Sequence, residues 1–318
     1  MISLRPSTSA FRQAYSGCTS RVRVRVRVPV SASAPASGRF LAACVQASSP
    51  FSTVSLAYDL HEPAKPVADK QTSPIIFMHG VFGSKKNNRT VSRHVYAVDL
   101  RNHGDSPHDH RHDYPAMAAD VADFIREHGL KKPTLIGHSM GAKTAMTLAL
   151  QSPDLISNLI AVDNAPVAAR LGSDFGWYIQ GMKKIDEAQV TRQAEADAIL
   201  APYEPSLAIR QFLLGNLHRP SPTTSQTQKF RVPLSILARA LDHLGDFPFK
   251  SPGEVRFEKP ALFVRGTQSR YVPDEVIPLI GQFFPLFELV DVEAGHWVIS
   301  EKPEAFRDAV VRFLEPKE

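Results

Sequence analysis

A chain of 318 residues can bury a large core and form one big domain or two small ones. Its 43% apolar and 22% charged residues are ordinary for a soluble globular enzyme. The formal net charge of +5 is misleading: all seven Arg of residues 1–50 precede the first acidic residue, Asp59, and removing them from 37 basic residues leaves 30 against 32 acidic ones, which gives no reason to expect nucleic acid.

Both cysteines, Cys18 and Cys44, fall in the same opening stretch. The remainder therefore offers no disulfide, no cysteine nucleophile and no thiolate metal site. No uninterrupted apolar run approaches the length needed to cross a bilayer.

Residues 1–50 are rich in Arg, Ser and Ala, and no Asp or Glu occurs before position 59. That composition is read as a disordered mitochondrial transit peptide and set apart from the fold. Leu4, Arg5, Phe11 and Arg12 suit a short basic amphipathic helix, whereas the Arg-Val alternation of 21–28 has the period of a strand. A plain disordered tail and a polyanion-binding arm are the rival readings; no continuous apolar core supports a secretory signal.

Residues 51–318 then read as one α/β domain. A Ser/Thr/Val/Leu/Tyr run from Phe51 to Leu60 suggests a first strand, followed by a Pro-rich loop to Pro74. Ile75–Met78 is continuously apolar, as a strand buried on both faces of a parallel sheet should be. It runs into His79-Gly80-Val81-Phe82-Gly83-Ser84, and Val95–Asp99 repeats the pattern, running into Arg101-Asn102-His103-Gly104-Asp105-Ser106. Over 114–129, Met117, Val121, Phe124, Ile125 and His128 share a helical face, with Gly129 as its stop.

Thr134-Leu135-Ile136 leads into Gly137-His138-Ser139-Met140-Gly141 and then good helix formers. Strand, G-x-S-x-G, helix is the pattern of a nucleophile elbow, with a serine on a strained turn and glycines where the helix must pass close beneath. A further strand, Leu159–Val162, ends in Asp163-Asn164-Ala165-Pro166. Polar residues thus gather at the C-terminal ends of successive strands, where open α/β sheets bind ligands. From 167 to 250 the rhythm breaks into charged helical stretches with Pro202, Pro205 and Pro220, read as a helical insertion, or lid. Ala261–Val264 and Phe287–Val292 resume the sheet, and a last helix carries Phe306, Val310, Phe313 and Leu314 at core spacing.

A serine hydroxyl needs a base within hydrogen-bond reach, and the base an orienting acid. His296, after the last strand and preceded by Gly295, fits the base to Ser139. The loop after the penultimate strand reads Arg265-Gly266-Thr267-Gln268-Ser269-Arg270-Tyr271, with Ser269 where a carboxylate would be expected, so Asp163 is the preferred acid and Asp274 and Asp246 are the alternatives. The backbone amides of Met140 and Val81, with Phe82 close behind, are the expected oxyanion donors, and His79 is expected to brace their loop. His108-Asp109-His110-Arg111-His112-Asp113 invites a zinc reading, but an interposed Arg and alternate spacing favour a solvated loop, and neither metal nor cofactor is expected.

These residues together resemble the α/β-hydrolase superfamily, and more narrowly the mitochondrial branch of alpha/beta hydrolase domain-containing protein 11 and the ethanol acetyltransferases. The resemblance rests on segments 79–85, 99–106, 137–141, 162–166 and 295–297 and covers residues 51 to 318. It implies mitochondrial residence, Ser139, Asp163 and His296 in the triad positions, and as substrate a small acyl ester or thioester that is hydrolysed or transferred to an alcohol such as ethanol from acetyl-CoA. An inactive hydrolase-fold interaction protein is the reading from a different class. The chain departs from that branch in having only the fourteen residues from Gly80 to Arg93 where a whole helix is usual, as a junction between Arg93 and His94 from a shortened splice form would produce. Exposed apolar surface and a disturbed oxyanion loop are the expected consequences.

Overall fold

Among the described residues, short apolar runs separated by polar loops become nine strands and nine α-helices. In chain order they are β1 (Tyr58–His61), β2 (Ile75–Met78), β3 (Val95–Val98), α1 (Tyr114–Glu127), β4 (Thr134–His138), α2 (Met140–Gln151) and β5 (Asn158–Val162). There follow α3 (Asp174–Ala188), α4 (Gln193–Leu200), α5 (Leu207–Leu214), β6 (Leu217–His218), β7 (Lys229–Phe230) and α6 (Leu234–Gly245). The chain closes with β8 (Ala261–Gly266), α7 (Ile277–Phe283), β9 (Phe287–Val292), α8 (Val298–Glu301) and α9 (Pro303–Leu314). This computed structural model describes residues 52–63, 73–87, 93–169, 174–219 and 226–315; the segment 1–50 read as a transit peptide lies outside them.

Seven strands form one sheet in the order β1-β3-β2-β4-β5-β8-β9. Only β1 runs antiparallel, paired with β3; every other neighbour is parallel. The alternation of the strands divides two cores. Ile76, Met78 and Leu135 face α1, α2, α7 and the insertion, whereas Ile75, Phe77, Val95, Ile136 and Ile160 face the opposite side, where Val310 and Phe313 of α9 cover them. Burying each of those α9 side chains stabilises the fold by about 1.5–3 kcal/mol.

Helix α2 is buried along its length from Met140 to Leu150. Its few polar groups are satisfied internally: Thr144 and Thr147 donate to the carbonyls of Met140 and Lys143, and the Lys143 ammonium donates to the carbonyls of Gly245 and Asp246. Burial pushes Lys143 down to about 8. Strands β2, β3, β4, β5, β8 and β9, helix α1, the elbow helix and the C-terminal helix stand close to where the sequence places them.

Three expectations need correction. The first strand begins at Tyr58, not Phe51, because Val54 and Ala57 give their amide hydrogens to the Asp120 carboxylate and the Ser106 hydroxyl, outside any ladder. The histidine run is not wholly solvated: His108 and His110 are exposed, but His112 is 3% exposed. Nor does the short β2–β3 connection uncover the sheet. Its described residues hold one 3-10 turn, Lys85–Asn87, yet Phe77 and Val95 are only 6% and 5% exposed, in one cluster with α9, and Arg93 donates to the Leu314 carbonyl.

A buried ion pair fastens the segment before β1. The Arg101 guanidinium forks onto Asp120 of α1 at 2.6 and 2.8 Å, both side chains fully buried, and also donates to the carbonyls of Ser52 and Arg111. Removing one partner strands a buried charge, which costs about 3–5 kcal/mol. We expect Asp120→Ala to lower Tm by roughly 10 °C, and the paired Arg101→Met, Asp120→Leu exchange to lower it less; thermal denaturation of both checks this, and a silent Asp120→Ala would contradict it.

Candidate active site

The turn after β4 is possible only because two residues lack side chains. A Cβ on Gly137 would lie 2.1 Å from the Gly141 carbonyl oxygen, and one on Gly141 would lie 2.4 Å from that of Met78. The elbow helix therefore packs directly beneath the strand ends, and Ser139 between the two glycines takes φ 54°. Six non-glycine residues have positive φ among the described residues. Four of them, Phe82, Asn102, Ser139 and Asp163, lie at the edge where β2, β3, β4 and β5 end. Each such residue costs about 1–3 kcal/mol and persists only when its surroundings hold it.

The sheet supplies much of that hold. The Ser139 amide donates to the Val162 carbonyl at 3.0 Å, and the Asp163 amide to that of Val264 at 2.8 Å, so the strand ladder runs on through both turns. Asn164 links them, donating from its side chain to the Ser139 carbonyl at 3.2 Å.

Three side chains from three loops converge. His296 Nδ1 donates to Asp163 Oδ2 at 2.6 Å, which leaves Nε2 as the acceptor facing Ser139 Oγ at 2.9 Å. Asp163 is fully buried and Ser139 only 5% exposed. The carboxylate is compensated by further donors, Ser269 Oγ to Oδ2 at 2.5 Å and the Gly266 amide to Oδ1 at 3.0 Å. The other two acid candidates lie elsewhere: Asp274 pairs with Arg265 and Asp246 with Lys250.

The imidazole of His296 is held on its faces and at its backbone. The Tyr271 ring stacks on it with centroids 4.1 Å apart, and the Tyr271 amide donates to Ser269 Oγ. His138 donates from Nε2 to the His296 carbonyl at 2.8 Å. Burial, with His296 next to it, pushes His138 down to about 4, so it stays neutral. Trp297 packs against Phe212 of the insertion at 4.6 Å.

Beside this group runs the loop after β2. A Cβ on Gly80 would stand 3.2 Å from both Ser139 Cβ and His138 Nδ1, so the backbone there lies against the elbow. His79 braces it as expected: Nε2 accepts from the Leu100 amide, so Nδ1 donates to the Gly80 carbonyl at 2.7 Å. His103 accepts the Phe82 amide at Nε2, and Lys85 is tied to Asp99 by its amide and its ammonium. The loop is thus well anchored despite the short connection. The amides of Val81 and Met140 have no acceptor among the described residues.

Asn164 and Ser269 are the members that residue patterns alone did not assign. Asn164 lay within a motif carrying the resemblance, and Ser269 was visible only as a gap in the expected acid position. No group of three metal-ligating side chains exists among the described residues, and no described helix is long and apolar enough to cross a membrane.

A sequence family described as the alpha/beta hydrolase fold matches residues 73–303. The chain is 42% identical over 271 residues to a probable alcohol acetyltransferase of Saccharomyces cerevisiae, covering 78% of this chain and 79% of that one. It is 38% identical over 276 residues to the sn-1-specific diacylglycerol lipase ABHD11 of Xenopus laevis, covering 82% and 84%. Among solved structures, a marine microorganism esterase superposes with a TM-score of 0.75 at 29% identity, over 82% of this chain and 100% of that one. The sheet order, the elbow and these matches together place the chain in the α/β-hydrolase fold family.

Proposed function

We propose that the protein is a serine hydrolase that cleaves small carboxylic esters or thioesters through an acyl-enzyme. The observation that carries this is the unbroken run of hydrogen bonds from Ser139 through His296 to Asp163, at 2.9 and 2.6 Å. Ser139 Oγ attacks the substrate carbonyl carbon while its proton passes to His296 Nε2. Buried Asp163 holds the ring with its proton on Nδ1 and balances the imidazolium that forms. The oxygen of the tetrahedral intermediate takes the free amides of Val81 and Met140, the latter at the positive end of the buried helix α2.

Collapse breaks the carbonyl C–O or C–S bond, and His296 returns the proton to the leaving alkoxide or thiolate. Water then attacks the acyl-enzyme by the same proton route, releasing the acid and regenerating Ser139. If an alcohol enters in place of water, the product is an ester. That second reading, an alcohol acetyltransferase using acetyl-CoA and ethanol, is favoured by the similarity to the yeast protein of that name. On either reading residues 167–250 act as a lid, and water exclusion beneath it decides the acceptor. The acid-free, Arg-rich opening segment supports delivery to mitochondria. A hydrogen-bonded triad with a compensated buried carboxylate argues against an inactive scaffold.

The direct assay is p-nitrophenyl acetate hydrolysis with and without ethanol. Hydrolysis should fall about ten-thousand-fold or more in Ser139→Ala. Ethyl acetate formed at the expense of acetate would assign the transferase reading, and indifference to ethanol the hydrolase; folded protein without Ser139-dependent turnover would refute both. Ser269→Ala removes one charge-assisted hydrogen bond to Asp163, a contribution of about 1.5–3 kcal/mol. We expect its kcat to fall roughly tenfold with KM nearly unchanged, against about ten-thousand-fold for Asp163→Asn; steady-state kinetics of the two variants decides it, and an unaffected Ser269→Ala would show the second donor to be idle.

A further inference from the structure

The insertion reaches into the loop beside Ser139 through one buried side chain. Asn216 lies just beyond α5, before β6, and is 6% exposed. Its side-chain amide gives one hydrogen to the Phe82 carbonyl at 2.9 Å and the other to the Leu213 carbonyl at 3.2 Å. Its own backbone is fixed within the insertion, donating to the Leu213 carbonyl and accepting from the Arg231 amide. Asn216 is therefore a rigid donor presented to a residue 134 positions earlier in the chain.

Phe82 needs holding, because it has φ 61°. Asn216 takes its carbonyl, His103 takes its amide at 3.2 Å, and Phe175 of α3 stacks on its ring at 6.2 Å. His103 can only accept there, since its Nδ1 donates to the Arg101 carbonyl, and burial drives its pKa well below the ordinary value so that it stays neutral.

Two trans peptide planes connect this anchor to the expected oxyanion donor. In a trans peptide the N–H points opposite to the C=O. The plane joining Phe82 and Gly83 has its carbonyl on Asn216 and its N–H on the Gly80 carbonyl at 3.0 Å. The plane joining Gly80 and Val81 has that carbonyl held by Gly83 and His79, which turns the Val81 N–H the other way. We infer that Asn216 is a positioning residue through which the insertion sets the orientation of the Val81 amide, so that the oxyanion site is complete only while the insertion is docked. The inference rests on the serine-hydrolase reading above and adds to it a physical coupling between the cover and the chemistry.

The test compares Asn216→Ala with the unaltered protein in p-nitrophenyl acetate hydrolysis, with active sites titrated by a fluorophosphonate and folding followed by Tm. A trifluoromethyl ketone, whose tetrahedral adduct carries the oxyanion, serves as the second probe. We expect kcat per titrated site to fall about tenfold, KM to stay within twofold, and the ketone to bind weaker by the same factor as kcat/KM falls. Leu207→Ser, on the exposed face of α5, should change none of these. If Asn216→Ala does not fold, Asn216→Leu fills the space without a donor and is read the same way. Unchanged kcat and ketone affinity, or a loss that disappears per titrated site, would overturn the coupling while leaving the hydrolase reading intact. Absence of Ser139-dependent turnover in the unaltered protein would instead defeat that underlying reading.

Discussion

The close approach of the elbow helix to the strand ends is the constraint on which the site depends. Any side chain at position 137 or 141 would meet backbone at 2.1–2.4 Å, so the helix would be displaced outward and Ser139 with it. The same approach aims the amino end of α2 at the bond-forming region and leaves the Met140 amide unpaired. Strain at Ser139 is therefore the price of geometry, and it is met by bonds from neighbouring strands and from Asn164.

A second constraint is charge. A fully buried carboxylate is costly unless its lone pairs are filled. Asp163 has three donors, from His296, Ser269 and Gly266, drawn from two different loops. Around it the other histidines are kept neutral: burial lowers His79, His103 and His138, and His112 to about 3. His79 and His103, each accepting one backbone amide and donating to one carbonyl, brace the loops after β2 and β3.

Much of this was legible beforehand because it is local. Continuous apolar runs announced β2, β5 and β8, and G-x-S-x-G between a strand and helix formers announced the turn. Ser139, Asp163 and His296 come within hydrogen-bond distance in succession, serine to histidine to aspartate, since each residue closes a strand or follows one. What the sequence hid was mostly non-local. The Asn216 contact with Phe82 spans 134 residues, and the Ser269 bond to Asp163 spans 106. The burial of His112 depends on Asn102, which offers its side-chain amide to His112 Nδ1, and alternation within the run could not reveal that partner. The two-residue hairpin strands β6 and β7 are too short to leave a periodic signal. The survival of the sheet despite a short connection turned on α9, more than two hundred residues away from Arg93.

Ser139 is proposed as a nucleophile activated by His296 and Asp163. Intact-protein mass spectrometry after fluorophosphonate treatment, followed by peptide mapping, tests it most directly. We expect one adduct per chain on the peptide carrying Ser139, absent in Ser139→Ala and much slower to form in His296→Ala. A folded protein that takes up no label, or takes it at another serine at an equal rate, would contradict it.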